Sequence, residues 1–196
     1  MDLGRTVLRF VVGPLFVGHG TQKLFGWFGG HGLDGTGSFF ESLGLKPGKR
    51  HATAAGAAEA AGGALLTLGA LTPVASGLIT GTMITAIRKA HADKGPWVTN
   101  GGYEYNLTVI AAMLALVEAG PGRPSVDASA FPWLKGNGIA LAQFAVAAAA
   151  STLLTSERFT AAEHTPAEAE AEIGGDPAAP RQHRFTREES EVPTSS

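Results

Sequence analysis

Between Ala52 and Ile87 the chain runs 36 residues with a single ionisable side chain, Glu59. A water-soluble domain averages about 25% charged residues, and this chain carries 16%. One helix of that length would overshoot a bilayer core, which about 20 residues cross. The Thr72-Pro73 step divides the stretch, because proline disfavours continued helix. The pattern therefore predicts a tight hairpin of two membrane helices, 52–72 and 74–92.

Three further spans are expected. The first, 5–25, is apolar except at Arg9, His19, Gln22 and Lys23. The next, 103–120, stops at Gly120-Pro121-Gly122. The last, 136–156, carries no charge but has an alanine run that also suits a buried or surface-lying helix, so it is the weakest span. No small-x-small cleavage site follows the first span, which reads as a retained anchor. The connection 26–51 is rich in Gly and in aromatics such as Trp27 and Phe28, which suit a membrane interface. Within it Thr36–Leu43 fits a short surface-lying helix.

From 157 onward large apolar residues are nearly absent, so the segment cannot offset the entropy of ordering and is expected to be disordered. Residues 1–155 carry a net charge of +3 and residues 156–196 one of −5. The organisation expected is an all-α transmembrane helix bundle with a four-helix core, 1–127, an extra apolar helix, 128–156, and an acidic tail, 157–196.

Several function classes fall away. With zero cysteines the chain has no disulfide, thiolate metal site or persulfide chemistry of its own. No Lys/Arg stripe supports nucleic-acid binding. His19 and His91 lack the company that haem ligation asks for, and no tight His/carboxylate cluster suggests a metal. Gly29-Gly30-x-Gly32 precedes no strand–helix unit, so it is no nucleotide loop. Lys23, Lys46, Lys49, Arg50, Arg88, Lys89, Lys94 and Arg158 fall on one side of the bundle, against Arg5, Arg123 and Lys135 on the other. The positive-inside rule puts the richer side in the cytoplasm. The expectation is a multi-pass protein of the plasma (inner) membrane with its N-terminus outside and its tail cytoplasmic.

Ionisable groups inside a span cost about 2.5–3.5 kcal/mol each on insertion scales, and they pair or face wet cavities. Counted from Pro73, Glu59 lies 14 residues before the turn and Arg88 lies 15 after, so the two are expected level and facing. His19 and Lys23 end the first span at that depth, and Tyr103 and Glu104 begin the fourth. The candidate polar pocket is thus His19, Lys23, Glu59, Arg88, Tyr103 and Glu104, with Arg9, His91, Tyr105 and Asn106 in a second tier. Such a pocket suits a quinone head, a small anion or a proton relay. The same residues also fit a structural ion-pair knot that orients the helices.

The motifs resemble those of the DoxX family of small bacterial membrane proteins. The resemblance rests on Leu8-Arg9-Phe10 through His19-Gly20-x-x-Lys23-Leu24-Phe25, on Phe40-x-x-Leu43-Gly44, and on Glu59-Ala60-Ala61-Gly62-Gly63 followed by Leu68-Gly69-x-Leu71-Thr72. It continues through Gly102-Tyr103-Glu104-Tyr105 and Gly120-Pro121-Gly122-Arg123-x-Ser125-x-Asp127. It implies a membrane bundle with redox associations: thiosulfate:quinone oxidoreductase in some members, anchoring of soluble redox enzymes in others. Quinone is the cofactor it suggests. Lipid and soluble redox-enzyme subunits are the partners expected, with a non-catalytic scaffold or a small-solute transporter as the alternatives. A family that covers such diverse proteins does not by itself assign a reaction.

Overall fold

The computed structural model describes residues 2–156, so the expected acidic tail lies outside the described residues. Among the described residues there are seven α-helices and no strand. The helices are α1 (Leu3–Phe25), α2 (Gly32–Ser42), α3 (Gly48–Leu68), α4 (Thr72–Ala86), α5 (Glu104–Ala119), α6 (Val126–Ala130) and α7 (Asn137–Leu154). The core that binds them is Phe16 of α1, Leu66 of α3, Ala75, Ile79 and Met83 of α4, and Val109, Ile110, Met113 and Leu116 of α5.

α1 shows an inside-out distribution. Its buried stripe is Arg9, Gly13, Phe16, Gly20 and Thr21, while Leu3, Val7, Phe10, Val11 and Leu15 point outward. In water such an apolar exterior would be a liability. In lipid it is the expected surface, and small residues form the helix contacts instead. The α1–α3 contact follows that rule. A Cβ on Gly13 would fall 2.7 Å from the Gly63 carbonyl oxygen, and one on Gly20 would fall 2.5 Å from that of Gly56. The two heptad-spaced glycine pairs let the antiparallel backbones touch.

The expected hairpin forms, but its turn lies earlier than the Thr72-Pro73 step. Gly69, at φ +60°, ends α3 with a left-handed cap, and Pro73 sits in the first turn of α4. Proline there is a helix starter, since its missing N–H would have been unpaired anyway. Leu71 is also left-handed, at φ +47°, a conformation that costs a non-glycine residue about 1–2 kcal/mol. Asp127 holds it: the carboxylate accepts from the Leu71 and Thr72 backbone N–H groups at 2.8 and 2.7 Å, and from the Thr72 hydroxyl at 2.6 Å.

α4 continues through a π-turn, Ile87–His91. The short surface helix expected at 36–43 is longer and starts earlier, as α2. α7 packs on α4 and α5. It is the one described helix long and apolar enough, by length and composition, to cross a membrane. The span judged weakest from sequence is therefore the one that meets that criterion. α1 and α3 are long enough but less apolar than α7, and α4 and α5 are too short, at 15 and 16 residues.

Candidate functional site

Close α1–α3 packing brings a cation to the buried acid. Side chains on a helix lean toward its N-terminus. Lys23, in the last turn of α1, therefore leans into the bundle, and Glu59, midway along antiparallel α3, leans back toward it. They meet as an ion pair with Lys23 Nζ 2.5 Å from Glu59 Oε2. The carboxylate is buried, with 5% of its side chain exposed, while Lys23 keeps 24%.

The pair stands on the wall of a cavity of about 1070 Å³. Phe16, His19, Tyr105 and Asn106 share that wall, with Phe39 and Phe40 of α2 closing over it. His19 Nδ1 lies 3.2 Å from Gln22 Oε1, and its ring meets Phe16 edge-on at 5.9 Å between centroids. Asn106 is buried, and its amide donates to the thioether of Met83 at 3.4 Å. A thioether is a weak acceptor, so this amide has bonding capacity in reserve. His91 also lines the cavity, and its Nδ1 lies 2.6 Å from the Gly101 carbonyl oxygen, tying the π-turn to the loop before α5.

Arg88, Tyr103 and Glu104 stand off this wall. Arg88 does not meet Glu59: it donates to the Thr152 hydroxyl of α7 at 2.6 Å. Two features account for the difference. With the turn at Gly69–Leu71, Glu59 and Arg88 are no longer equidistant from it, and the imbalance of several residues at about 1.5 Å rise each separates their depths. The stripe Gly77, Gly81, Thr85, Arg88 also faces α7, whereas α3 packs on Ala75 and Ile79 through Gly62. Glu104 accepts from the Val98 backbone N–H at 2.8 Å and so pins the preceding loop, and Tyr103 sits just before α5 without a side-chain capping bond.

Arg9 is fully buried at the opposite end, where it donates to the Thr67 carbonyl at 3.2 Å and to the Pro124 carbonyl. That end holds residues the site reasoning passed over: Asp127, and Asp2 and Arg5, which form an ion pair. The Asp2 carboxyl is held below the usual carboxylate range, first by a hydrogen bond from the Arg123 backbone and then by Arg5. Gln143 of α7 was missed as well. It lines the cavity, yet both atoms of its buried amide lack a partner. A polar residue in an alanine-rich run is its only signal in the sequence.

The DoxX family profile matches residues 4–92, which hold α1, α3, the Lys23–Glu59 pair and α4 through its π-turn. The chain is similar to "Putative oxidoreductase CatD" of Bacillus subtilis (strain 168), at 32% identity over 115 residues covering 59% of this chain and 79% of that protein. No solved structure matches. A 32% match across most of a relative's length, joined to the family profile over the glycine-packed helices, establishes that this chain belongs to the DoxX family of membrane proteins.

Proposed function

We propose that this protein is a subunit of a membrane redox assembly of the bacterial inner membrane and binds a quinone head group against Lys23 and Glu59. The observation that carries the reading is the ion pair itself: one buried carboxylate and one lysine on the wall of a largely apolar cavity. The donors suit a quinone. Lys23 supplies N–H bonds to a carbonyl oxygen, and the Asn106 amide, now spent on a thioether, supplies a second donor. The aromatic walls suit the ring.

When bound, a quinone supplies two-electron redox chemistry coupled to two protons. The chain's own part is to orient the ring, exclude water and hold a proton. Glu59 is the group placed to pass that proton, with His19 beside the same cavity as its continuation toward solvent. The chain has no cysteine, so any thiol or persulfide step belongs to a partner subunit. A relative named as an oxidoreductase supports the redox assignment.

The test is titration of the purified full chain with decylubiquinone, alongside analysis of its lipid extract for quinone. Glu59→Gln is expected to leave the thermal midpoint within a few degrees and to weaken decylubiquinone binding at least tenfold, about 1.4 kcal/mol. Lys23→Met should weaken binding similarly. A wild-type protein that neither binds decylubiquinone nor carries quinone from the membrane overturns the reading. A Glu59→Gln protein that no longer folds, with binding intact in Lys23→Met, identifies a structural ion pair instead.

A further inference from the structure

At the end of the bundle away from Lys23 and Glu59, a second groove of about 920 Å³ opens on the outer surface beside α1, the C-terminus of α3 and α6. Its charged lining is Arg9 and Arg123, with no acid among the residues that form it. The nearby acids are engaged elsewhere: Asp2 pairs with Arg5, and the Asp127 carboxylate is taken by three donors at the start of α4. Arg9 is 1% exposed and satisfied only in part, because its Nε–H has no partner. The Arg123 side chain is exposed and makes no hydrogen bond or ion pair among the described residues, since only its backbone is held, by Asp2 and Thr6.

The rest of the groove is apolar and faces outward. Phe10 is 54% exposed, Leu68 60% and Val126 45%. Trp133 and Phe131, packed edge-on at 5.8 Å, lie in the segment that follows α6 and are exposed as well. Exposed Trp beside charged residues at a helix end marks the membrane–water boundary. A cationic recess at headgroup level above an apolar wall is the arrangement that holds an anionic headgroup while its chains follow the helices. We infer that this groove is a binding site for an anionic phospholipid, with the phosphodiester between Arg123 and Ser129 near the unpaired Arg9 N–H and the acyl chains along Phe10, Leu68 and Val126.

The ligand would tie α1 to the α6 segment from outside, where Arg9 already ties α1 to Thr67 and Pro124 from within. Nothing in this site touches the quinone reading. The two stand or fall separately.

The test uses the full chain in nanodiscs of phosphatidylglycerol or of phosphatidylcholine, and in detergent with added inorganic phosphate. Wild type is expected to unfold several degrees higher in phosphatidylglycerol than in phosphatidylcholine, and to retain bound phosphatidylglycerol through delipidation in native mass spectrometry. Arg123→Gln should reduce that retention about tenfold and erase most of the thermal difference. Lys46→Gln, at the opposite end, should change neither. Equal retention of the two lipids, an unaltered Arg123→Gln, or equal losses in both variants overturns the site. Stabilisation by inorganic phosphate equal to that by phosphatidylglycerol would assign the recess to a soluble oxyanion and overturn the lipid.

Discussion

Asp127 shows how one side chain decides a turn. The carboxylate satisfies two N–H groups at the start of α4 and the Thr72 hydroxyl, and its own backbone N–H donates to the Gly69 carbonyl at 2.9 Å. Leaving a buried donor unpaired costs about 1–3 kcal/mol. Asp127→Ala strands three, the Leu71 and Thr72 N–H groups and the Thr72 hydroxyl, so on the order of 3 kcal/mol or more should disappear from the unfolding free energy in a mixed-detergent titration, and Asp127→Asn should lose less. A change below about 0.5 kcal/mol, the range of ordinary surface substitutions, would remove Asp127 from this role. Gln143 predicts the opposite sign. Its amide is buried and unanswered, so Gln143→Leu should raise stability by about 1 kcal/mol in the same titration. A loss of that size would mean that the amide has found a partner.

At the scale of the helix, the α1–α3 contact is set by volume. Gly20 faces Gly56 and Ala60 with no room for a side chain, and misplaced bulk in a packed interface costs about 1–3 kcal/mol or more. Gly20→Leu should therefore push α1 off α3 and separate Lys23 from Glu59. The expected outcome is a lowered thermal midpoint together with loss of decylubiquinone binding, whereas Gly18→Leu, at a position open within 4 Å, should alter neither. The helices themselves were legible from hydropathy, since each expected span finds a helix within a few residues. The turn was not, because Pro73 reads equally as a breaker or as a first-turn residue, and the left-handed signal at Gly69 lies three to four residues upstream. Depth matching across the hairpin inherited that displacement and paired Glu59 with Arg88. The partner of Glu59 was visible among the site residues as Lys23, but choosing it required the α1–α3 register, which two glycine pairs set and hydropathy does not reveal.

Across the whole molecule, charge is distributed unequally between the two ends. Among the described residues, Lys23, Lys46, Lys49, Arg50, Arg88, Lys89 and Lys94 gather at the cavity end, and Arg5, Arg9, Arg123 and Lys135 at the other. At the richer end Asp34 of α2 pairs with Lys49 of α3 at 2.6 Å, both largely exposed. That hydrogen bond and the lysine charge hold the Asp34 carboxyl below its ordinary value. The clasp is thus fully present above the usual carboxylate pKa and fades as pH falls through the lowered one. Its energy is screened by solvent, so it fixes where α2 lies more than how stable the bundle is. Protection of the α2 amides, taken relative to the intrinsic exchange rate, should fall as pH drops below the ordinary carboxylate pKa and show no such fall in Asp34→Asn. The excess of Lys and Arg at one end over the other leads us to propose that the richer end faces the cytoplasm, and the absence of native cysteine makes this arrangement testable without background labelling. Lys46→Cys and Ala130→Cys place single thiols in exposed loop and helix-end positions at opposite ends. In intact cells an impermeant maleimide should label the thiol at 130 at once and the one at 46 only after permeabilisation. The reverse order would invert the topology and place the Lys23–Glu59 cavity at the outer face. Labelling of both before permeabilisation would mean that the bundle does not separate its two ends by a bilayer at all.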